Sequence, residues 1–203
     1  MLLTEIINLM YLYGASGHAK VIIDIIKSMG MPIDGIFDDN INIFNLKGFD
    51  VKHNWKGESP IIISIGYNEV RKRIAEKLNC KFAKAIHSSA IISPSVSIGE
   101  GSVVVAGAII NADAIVGKHC IINTGASVGH ECVISDFVHI APHSTLCGNV
   151  YVGEGSWVGA GAVVIPGIKI GKWCTIGAGA VVIRDVPDNA VVAGVPAKVI
   201  KIK

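Results

Sequence analysis

The stretch VGHECVI, residues 128–134, places an imidazole and a carboxylate side by side at His130 and Glu131. Histidine titrates near neutral pH and is the most common general base in proteins. A neighbouring carboxylate can hold the ring in one tautomer and stabilise its protonated form. The pair therefore predicts a group transfer in which His130 acts as the general base.

These residues lie inside a six-residue repeat. Sixteen positions spaced by six are all aliphatic, and the slot four places after each is mostly small. The aliphatic positions are Ile92, Ile98, Val104, Ile110, Val116, Ile122, Val128, Ile134, Ile140, Leu146, Val152, Val158, Val164, Ile170, Ile176 and Val182. A helix would place this series on shifting faces, so short strands joined by turns are favoured. Three units close a triangular coil of 18 residues, so residues 86–203 are predicted to form a parallel β-solenoid with a C-terminal tail.

The repeat gives His130 a neighbour in space. Gly148 follows it by 18 residues, one whole coil, at a stacking distance of roughly 4.8 Å on the same side of the solenoid. The bare backbone N–H of Gly148 can donate to a carbonyl oxygen that develops negative charge. Cys132 falls in the inward small slot, so core packing is favoured over a role as acyl-enzyme nucleophile. His119 and His143 are interpreted as ordinary surface residues.

Residues 1–85 lack the repeat and alternate between strand and helix patterns. Strands are predicted for YLYGAS, IDGIFDDN and IIISIGYN, and helices for GHAKVIIDIIKSMG and EVRKRIAEKL. This alternation predicts a small Rossmann-like parallel α/β domain. The strands end at 14–18, 38–39 and 66–68, where such sheets bind ligands. The first turn lacks the dinucleotide fingerprint, so NAD is not predicted. Amides at a helix start suit a phosphate, and a plain tight turn capped by Ser16 is the alternative.

Several of these motifs resemble a known family. The units IGEGSV, VGEGSW, VGAGAV and IGAGAV, followed by AGVPAKVI, are similar to the hexapeptide-repeat acyltransferases. That family folds as a left-handed parallel β-helix and usually forms trimers. The order GASGH, FDDN, IGYNEVRKR and then the repeat resembles one branch in particular, from about Tyr11 to Ala197. This branch comprises the sugar-nucleotide acetyltransferases of the bacillosamine pathway and their sialic acid O-acetyltransferase-like relatives.

The resemblance implies a reaction and its residues. It implies acetyl transfer from acetyl-CoA to the 4-amino group of a UDP-linked amino-dideoxy sugar, by direct attack. It also implies His130 as general base, Glu131 as its partner and Gly148, in a CGN sequence that matches the family's CAGN, as oxyanion donor. Substrate-binding residues implied in the same way are Gly14, Ser16, Gly17, His18, Asp38, Asp39, Asn68, Arg71, Asn123 and His139, with Arg71 as a diphosphate contact.

Coenzyme A runs along the outside of the prism in this family. The resemblance implies contacts of the coenzyme with Gly148, Ala160, Ala178 and Lys198. Arg184, Lys201 and Lys203 are further candidates for its phosphates, and a solvated basic tail is the alternative. Because packing between subunits would shield the exposed strands, we expect a homotrimer with active sites between subunits. No metal is expected.

Three other functions remain open. The first is an O-acetyltransferase acting on sialic acid or another sugar hydroxyl, since His130 suits an alcohol equally well. The second is a metal hydrolyase, which needs three imidazoles on one zinc. It is disfavoured because His119, His130, His139 and His143 never lie a whole coil apart. The third is a binding solenoid without catalysis.

Composition narrows the setting of the protein. The chain has 203 residues, of which 51% are hydrophobic and only 6% aromatic, which suits a core of stacked Ile and Val layers. A net charge of +2 gives no basic field for nucleic acid or an anionic membrane. Every apolar run is shorter than the ~18 residues of a membrane span. The start, MLLTEIINLMYLYG, is expected to lead into the first strand and not to be a signal peptide. Five cysteines without a C-x-x-C pair favour reduced thiols in the cytoplasm.

Overall fold

The computed structural model describes residues 10–203; residues 1–9, most of the predicted lead-in to the first strand, lie outside the described residues. The N-terminal part holds a five-stranded sheet in the order β3-β4-β2-β1-β5. Its elements are β1 (Tyr11–Tyr13), α1 (Gly17–Ser28), β2 (Gly35–Phe37), β3 (Asn45–Leu46), β4 (Phe49–Lys52), β5 (Ile61–Ile63) and α2 (Asn68–Lys77). The parallel α/β domain predicted from the sequence is confirmed.

The two helices cover opposite faces of this sheet. The buried side of α1 packs in one apolar cluster with Leu12, Ile36 and Ile62. Ile74 of α2 packs in another cluster with Tyr13 and Phe37, because neighbouring residues of a strand point to opposite faces. The β3–β4 hairpin was not predicted, because its antiparallel strands are too short to show a clear alternation of apolar and polar residues.

The C-terminal part is a three-sided parallel β-helix, and each side is one sheet. Face 1 contains β6 (Ala85–Ile86), β9 (Val103–Val104), β12 (Ile121–Ile122), β15 (His139–Ile140), β18 (Trp157–Val158), β21 (Thr175–Ile176), β23 (Ala190–Gly194) and β24 (Ala197–Ile202). Face 2 contains β7 (Ile91–Ile92), β10 (Ile109–Ile110), β13 (Ser127–Val128), β16 (Thr145–Leu146), β19 (Val163–Val164) and β22 (Val181–Val182). Face 3 contains β8 (Ser97–Ile98), β11 (Ile115–Val116), β14 (Val133–Ile134), β17 (Tyr151–Val152) and β20 (Lys169–Ile170).

The coil of 18 residues predicted from the repeat sets the pairing between strands. Val128 pairs with Leu146 and Ile122 with Ile140, each in parallel register. The residues of the aliphatic series from Val104 to Val182 are buried, and those of the small slot, such as Ala126 and Ala162, are buried as well. The core is therefore a stack of alternating large and small layers.

The α/β domain packs on face 1. Ala85 and Val103 of face 1 share an apolar cluster with Ala19, Ile22 and Ile26 of α1. In a triangular prism, the edge opposite face 1 is the one that joins faces 2 and 3. This edge, here called edge 2–3, therefore lies on the far side of the prism from the α/β domain.

The layered core makes a stability prediction. Ile122→Ala should lower the free energy of unfolding by about 2–5 kcal/mol, because it removes a fully buried side chain and leaves a cavity. The matched control is Ile41→Ala, since Ile41 lies in a loop of the α/β domain and is 67% exposed; we expect a loss below about 1 kcal/mol there. Urea denaturation at one protein concentration measures both, and equal losses would contradict the inward assignment.

Candidate active site

His130 and Glu131 lie on edge 2–3, in the turn between β13 and β14. Their side chains are 65% and 64% exposed, and Nδ1 of His130 lies 3.0 Å from Oε2 of Glu131. Glu131 has a φ of +57°, in the left-handed region of backbone conformation. A carboxylate at this distance fixes the imidazole with Nδ1 protonated, which leaves Nε2 free to accept a proton.

Gly148 lies on edge 2–3 directly beneath the imidazole. A Cβ atom there would overlap the ring of His130, at 2.5 Å from its Cε1 atom. The backbone ties the two turns together, because the N–H of Asn149 donates to the carbonyl of His130 at 2.8 Å. The N–H of Gly148 itself donates to no acceptor among residues 10–203. Edge 2–3 thus presents an imidazole acceptor and a free backbone donor close together.

Cys132 points into the core, as the repeat predicted. It is 0% exposed, and its thiol donates to the carbonyl of Cys147 at 3.1 Å. Burial raises the pKa of the Cys132 thiol above its usual range, so the reactive thiolate is disfavoured. The side chain has the contacts of core packing.

A cleft opens where the strands of the α/β domain end. It has a volume of about 380 Å³ and is lined by Gly14, Asp38, Asp39 and Ile65, among others. Asp38 accepts hydrogen bonds from the N–H groups of Ala15 and Asn40 and so braces the first turn. Asp39 is exposed, and the hydroxyl of Tyr13 donates to it at 2.5 Å.

The first turn of this cleft leaves backbone donors open. Ser16 and Gly17 are exposed, and Ser16 is the N-cap of α1 but makes no capping hydrogen bond with its side chain. Three residues that line the cleft were not among those predicted from the sequence: Tyr13, Arg73 and Lys77. The cations at 73 and 77 have a readable signal, since a spacing of four places them on one side of a helix.

Asn123, His139 and His18 lie on the same side of the prism as this cleft. His139 is on face 1, where it stacks on Trp157 at 4.7 Å and its Nε2 lies 3.0 Å from Nδ2 of Asn123. Nε2 of His18 and Nδ1 of His139 are buried without a partner among the described residues. Burial, with the positive charge of Arg71 nearby, lowers the pKa of His18 to about 4 and that of His139 to about 3.

Arg71 and Asn68 are not available to a substrate, which corrects the expectation for both. Arg71 is 1% exposed, and all five of its N–H groups donate to protein oxygens. The amide of Asn68 donates to the carbonyls of Gly155 and Ser156 and accepts from Arg71. A diphosphate contact would break bonds that join the two domains.

His119 also departs from its predicted surface position. It is 4% exposed, because Phe82 of the α/β domain and Phe137 of the next coil pack on its ring, at 4.5 and 5.1 Å between ring centroids. Burial lowers the pKa of His119 to about 4. Within residues 10–203, no group of three or more His, Cys, Asp or Glu side chains could hold a metal ion.

The residues expected to bind coenzyme A fall on two different edges. Gly148 is on edge 2–3, whereas Ala160 and Ala178 are exposed in the turns between faces 1 and 2, here called edge 1–2. Lys198 is on β24, where it lines a cavity of about 250 Å³ together with Arg184. In one chain, these residues therefore do not form a single site.

The predicted site residues thus separate into two groups. The cleft, His18, His139 and Asn123 lie with the α/β domain and face 1. His130, Glu131 and Gly148 lie on the opposite edge. Each group is internally consistent, and one copy of the chain does not bring the two together.

Two family models match separate parts of the chain. Residues 10–78 match the PglD N-terminal domain, and residues 149–184 match the bacterial transferase hexapeptide, a model of six repeats. The structure is similar to that of PerB from Caulobacter crescentus in complex with CoA and GDP-perosamine, with a TM-score of 0.91 and 39% identity over 96% of this chain and 98% of that chain. It is also similar to the acetyltransferase domain of PglB from Neisseria gonorrhoeae in complex with acetyl coenzyme A (TM-score 0.88, 36% identity, covering 95% of this chain and 98% of that chain).

A curated relative extends this comparison. The UDP-N-acetylbacillosamine N-acetyltransferase of Bacillus subtilis is 44% identical over 111 residues, which are 46% of this chain and 49% of that enzyme. The chain spans about a quarter to about half the length of the first curated relatives it matches.

The fold and these similarities place the chain in the hexapeptide-repeat transferase class, with a left-handed β-helix. Within this class, the chain belongs to the sugar N-acetyltransferases that carry a PglD-type N-terminal domain. None of the helices between residues 10 and 203 is long and apolar enough to cross a membrane.

The buried histidines predict an acid-sensitive stability. The folded-state pKa values of His18, His119 and His139, about 4, 4 and 3, lie below the ordinary 6.5. Between pH 6.5 and 4 the unfolded chain therefore binds more protons than the folded one. The free energy of unfolding should be highest above pH 6.5. It should fall on acidification, by up to about 1.4 kcal/mol per pH unit for each imidazole.

Urea denaturation across this pH range measures the slope. His119→Phe is the matched variant, because the same slot one coil along already holds Phe137. It removes one titrating group, so its slope should be shallower by about one proton. Parallel slopes for the variant and the wild type would contradict the assignment.

Proposed function

We propose that this protein transfers the acetyl group of acetyl-CoA to the 4-amino group of an amino-dideoxy sugar linked to UDP. The observation that carries the proposal is the pair on edge 2–3, where the imidazole of His130 lies over the bare backbone of Gly148. A general base next to an unused N–H donor is what acyl transfer from a thioester requires. The Bacillus subtilis relative, named for UDP-N-acetylbacillosamine, supports UDP as the first nucleotide to test.

In this mechanism the amine nitrogen attacks the thioester carbonyl carbon directly. Nε2 of His130 takes a proton from the attacking nitrogen, while Glu131 accepts the hydrogen bond from Nδ1 and stabilises the imidazolium. The N–H of Gly148 donates to the oxyanion of the tetrahedral intermediate. When the intermediate collapses, the carbon–sulfur bond breaks and His130 returns the proton to the departing thiolate of coenzyme A. No covalent enzyme intermediate forms, which is consistent with the inward position of Cys132.

The active site is proposed to lie between two copies of the chain. The sugar nucleotide would bind in the cleft of one copy, with its diphosphate at the uncapped turn of Gly14, Ser16 and Gly17 and its ribose near Asp38 and Asp39. The sugar would extend toward His18, Asn123 and His139. Since edge 2–3 of the same copy faces away, a neighbouring copy must contribute His130.

The coenzyme residues support the same arrangement. One molecule of acetyl-CoA that touches Gly148 on edge 2–3 and Ala160 and Ala178 on edge 1–2 needs those edges from adjacent copies. Edge 1–2 also carries Asn123, so the thioester and the sugar would meet at the boundary, with Lys198 near the coenzyme phosphates. Faces 2 and 3 expose apolar residues, among them Ile109 and Ile115, and a homotrimer would cover them.

The proposed base gives the first activity prediction. His130→Ala should reduce acetyl transfer by about 10²- to 10⁴-fold, the usual contribution of a positioned general base. The loss is measured as the rate at which the free thiol of coenzyme A is released from acetyl-CoA, with a UDP-linked 4-amino sugar as acceptor. The control is His87→Ala, a histidine of the first coil outside the site, which should keep wild-type turnover. Full activity of His130→Ala would exclude this base and favour a solenoid without catalysis.

A complementation experiment tests the shared site. His130→Ala lacks the base, and Asp39→Ala weakens the cleft. When equal amounts are unfolded and reassembled together, about one quarter of sites in random trimers should combine an intact cleft with an intact base. Activity well above that of either variant is the expected result. Absence of recovery, or a monomer by light scattering at micromolar concentration, would contradict the shared site.

A substrate panel tests the acceptor. Matched UDP- and GDP-linked 4-amino sugars separate the nucleotides, since the similar Caulobacter protein was crystallised with GDP-perosamine. Sialic acid and 4-hydroxy sugars separate N- from O-acetylation. Turnover of the UDP-linked amine alone would support the proposal. A preference for a sugar hydroxyl would contradict it and would indicate an O-acetyltransferase.

A further inference from the structure

We propose that Arg71 is a positioning residue for the sugar nucleotide. In this proposal it fixes the loop of Ile65 and Gly66, which borders the nucleotide cleft, against the β-helix turns that hold His119 and Phe137. The inference rests on the proposed function, because it assigns a residue that sets the affinity for the acceptor substrate.

The hydrogen bonds of Arg71 join two parts of the chain. On the side of the α/β domain, one terminal nitrogen donates to the carbonyls of Ile65 and Gly66, both at 3.1 Å. On the side of the β-helix, Nε donates to the carbonyl of His119 at 2.8 Å, and the second terminal nitrogen donates to that of Phe137 at 3.0 Å. The fifth bond, at 2.8 Å, goes to Oδ1 of Asn68. A planar guanidinium with five donors satisfies this geometry, and an ammonium cannot.

The charge of Arg71 is not explained by an ion pair. Burial lowers its pKa to about 10, so the side chain stays protonated at neutral pH. Within residues 10–203, no carboxylate lies within salt-bridge distance of it. Burying a cation without a counter-ion costs free energy, and an apolar side chain would join two surfaces at lower cost. The buried arginine therefore indicates that the Ile65–Gly66 loop has to be held in one position.

The loop transmits this geometry to the first turn of the cleft. Gly14 packs so closely on Ile65 that a Cβ atom there would lie 2.8 Å from Cγ1 of Ile65. The preceding residue, Ser64, donates from its hydroxyl to the carbonyls of Gly14 at 2.6 Å and Tyr13 at 3.0 Å. Displacement of Ile65 would therefore displace Gly14 and the uncapped start of α1, where the diphosphate is proposed to bind.

The β-helix side of the joint provides a rigid anchor. The ring of His119 stacks on Phe137 and meets Phe82 edge to face. The amide of Asn68 adds bonds to the carbonyls of Gly155 at 3.0 Å and Ser156 at 3.2 Å. Because the anchor is held by packing and the loop by Arg71, loss of the guanidinium should loosen mainly the cleft.

Arg71→Lys tests the proposal, because it keeps the charge and removes the bridging geometry. We expect the KM for the sugar nucleotide to rise about tenfold, since the loop is no longer preorganised. The KM for acetyl-CoA and the kcat at saturating substrates should stay within about twofold, since edge 2–3 is untouched. A purely structural role would lower the amount of folded enzyme without separating the two KM values.

Lys72→Met is the matched control. Lys72 is the next residue of α2 and joins the same edge of the β-helix one and two coils beyond Phe137, through an ion pair with Glu154 and a contact over the Trp173 ring. Its hydrogen bonding does not involve Ile65 or Gly66. The control should therefore weaken the domain joint and leave both KM values unchanged. An equal rise of the sugar-nucleotide KM in both variants, or none in Arg71→Lys, would overturn the proposal.

A second variant covers the case in which Arg71→Lys does not fold. Asn68→Ala removes one acceptor of Arg71 and the bonds to Gly155 and Ser156, and it keeps the guanidinium. We expect the KM for the sugar nucleotide to rise about threefold and the KM for acetyl-CoA to stay unchanged. Unchanged KM values in a folded Asn68→Ala enzyme would overturn the proposal.

Calorimetric binding of UDP and GDP separates this inference from the proposed reaction. A wild-type protein that binds a nucleotide but transfers no acetyl group would refute the reaction, and weaker binding by Arg71→Lys would still support the positioning role. A protein that binds neither nucleotide would overturn the positioning role as well.

Discussion

The backbone hydrogen bonds between successive coils are the constraint on which the site depends. The N–H of Gly129 donates to the carbonyl of Leu146, and the N–H of Asn149 donates to that of His130, both at 2.8 Å. These bonds place every residue over the one that follows it by 18. Side chains at equivalent positions of successive coils therefore lie against each other. Beneath His130 this position is Gly148, where a Cβ atom would overlap the imidazole and where the missing side chain exposes a backbone donor.

The three-sided cross-section has a second consequence. Packing of the α/β domain on face 1 assigns the cleft of that domain to one side of the prism and leaves edge 2–3 on the other. A single chain thus contains both parts of the proposed site, the cleft and the His130–Gly148 pair, but holds them on opposite sides of the prism. Assembly of copies, with edge 2–3 of one next to edge 1–2 of another, is the simplest way to unite them. In the proposed assembly the precision of the joint between the domains matters, because it positions the cleft relative to a base from another subunit.

The histidines show how far the repeat alone can be read. His119 and His143 occupy the same slot of the six-residue unit, three places after the inward aliphatic. His143 is exposed, whereas His119 is buried beneath Phe82. The repeat is local and treats both alike. The two histidines differ because His119 is covered by a residue of the α/β domain, about forty residues earlier in the chain. No pattern around position 119 reveals this contact. The same distance effect explains Arg71, whose five acceptors lie partly in turns that only the folded chain brings near.

The β-helix, its coil of 18 residues, the α/β domain and the position of His130 over Gly148 could all be predicted from the sequence. These follow from short-range rules, since period, side-chain size and turn chemistry act between neighbours in the chain or one coil apart. The tertiary structure alone decided which face the α/β domain covers, and therefore which polar residues are buried in the joint. Long-range packing sets the environment of Arg71, Asn68, His119 and His139, because desolvation and hydrogen bonding depend on what lies against a side chain and not on its own position in the repeat.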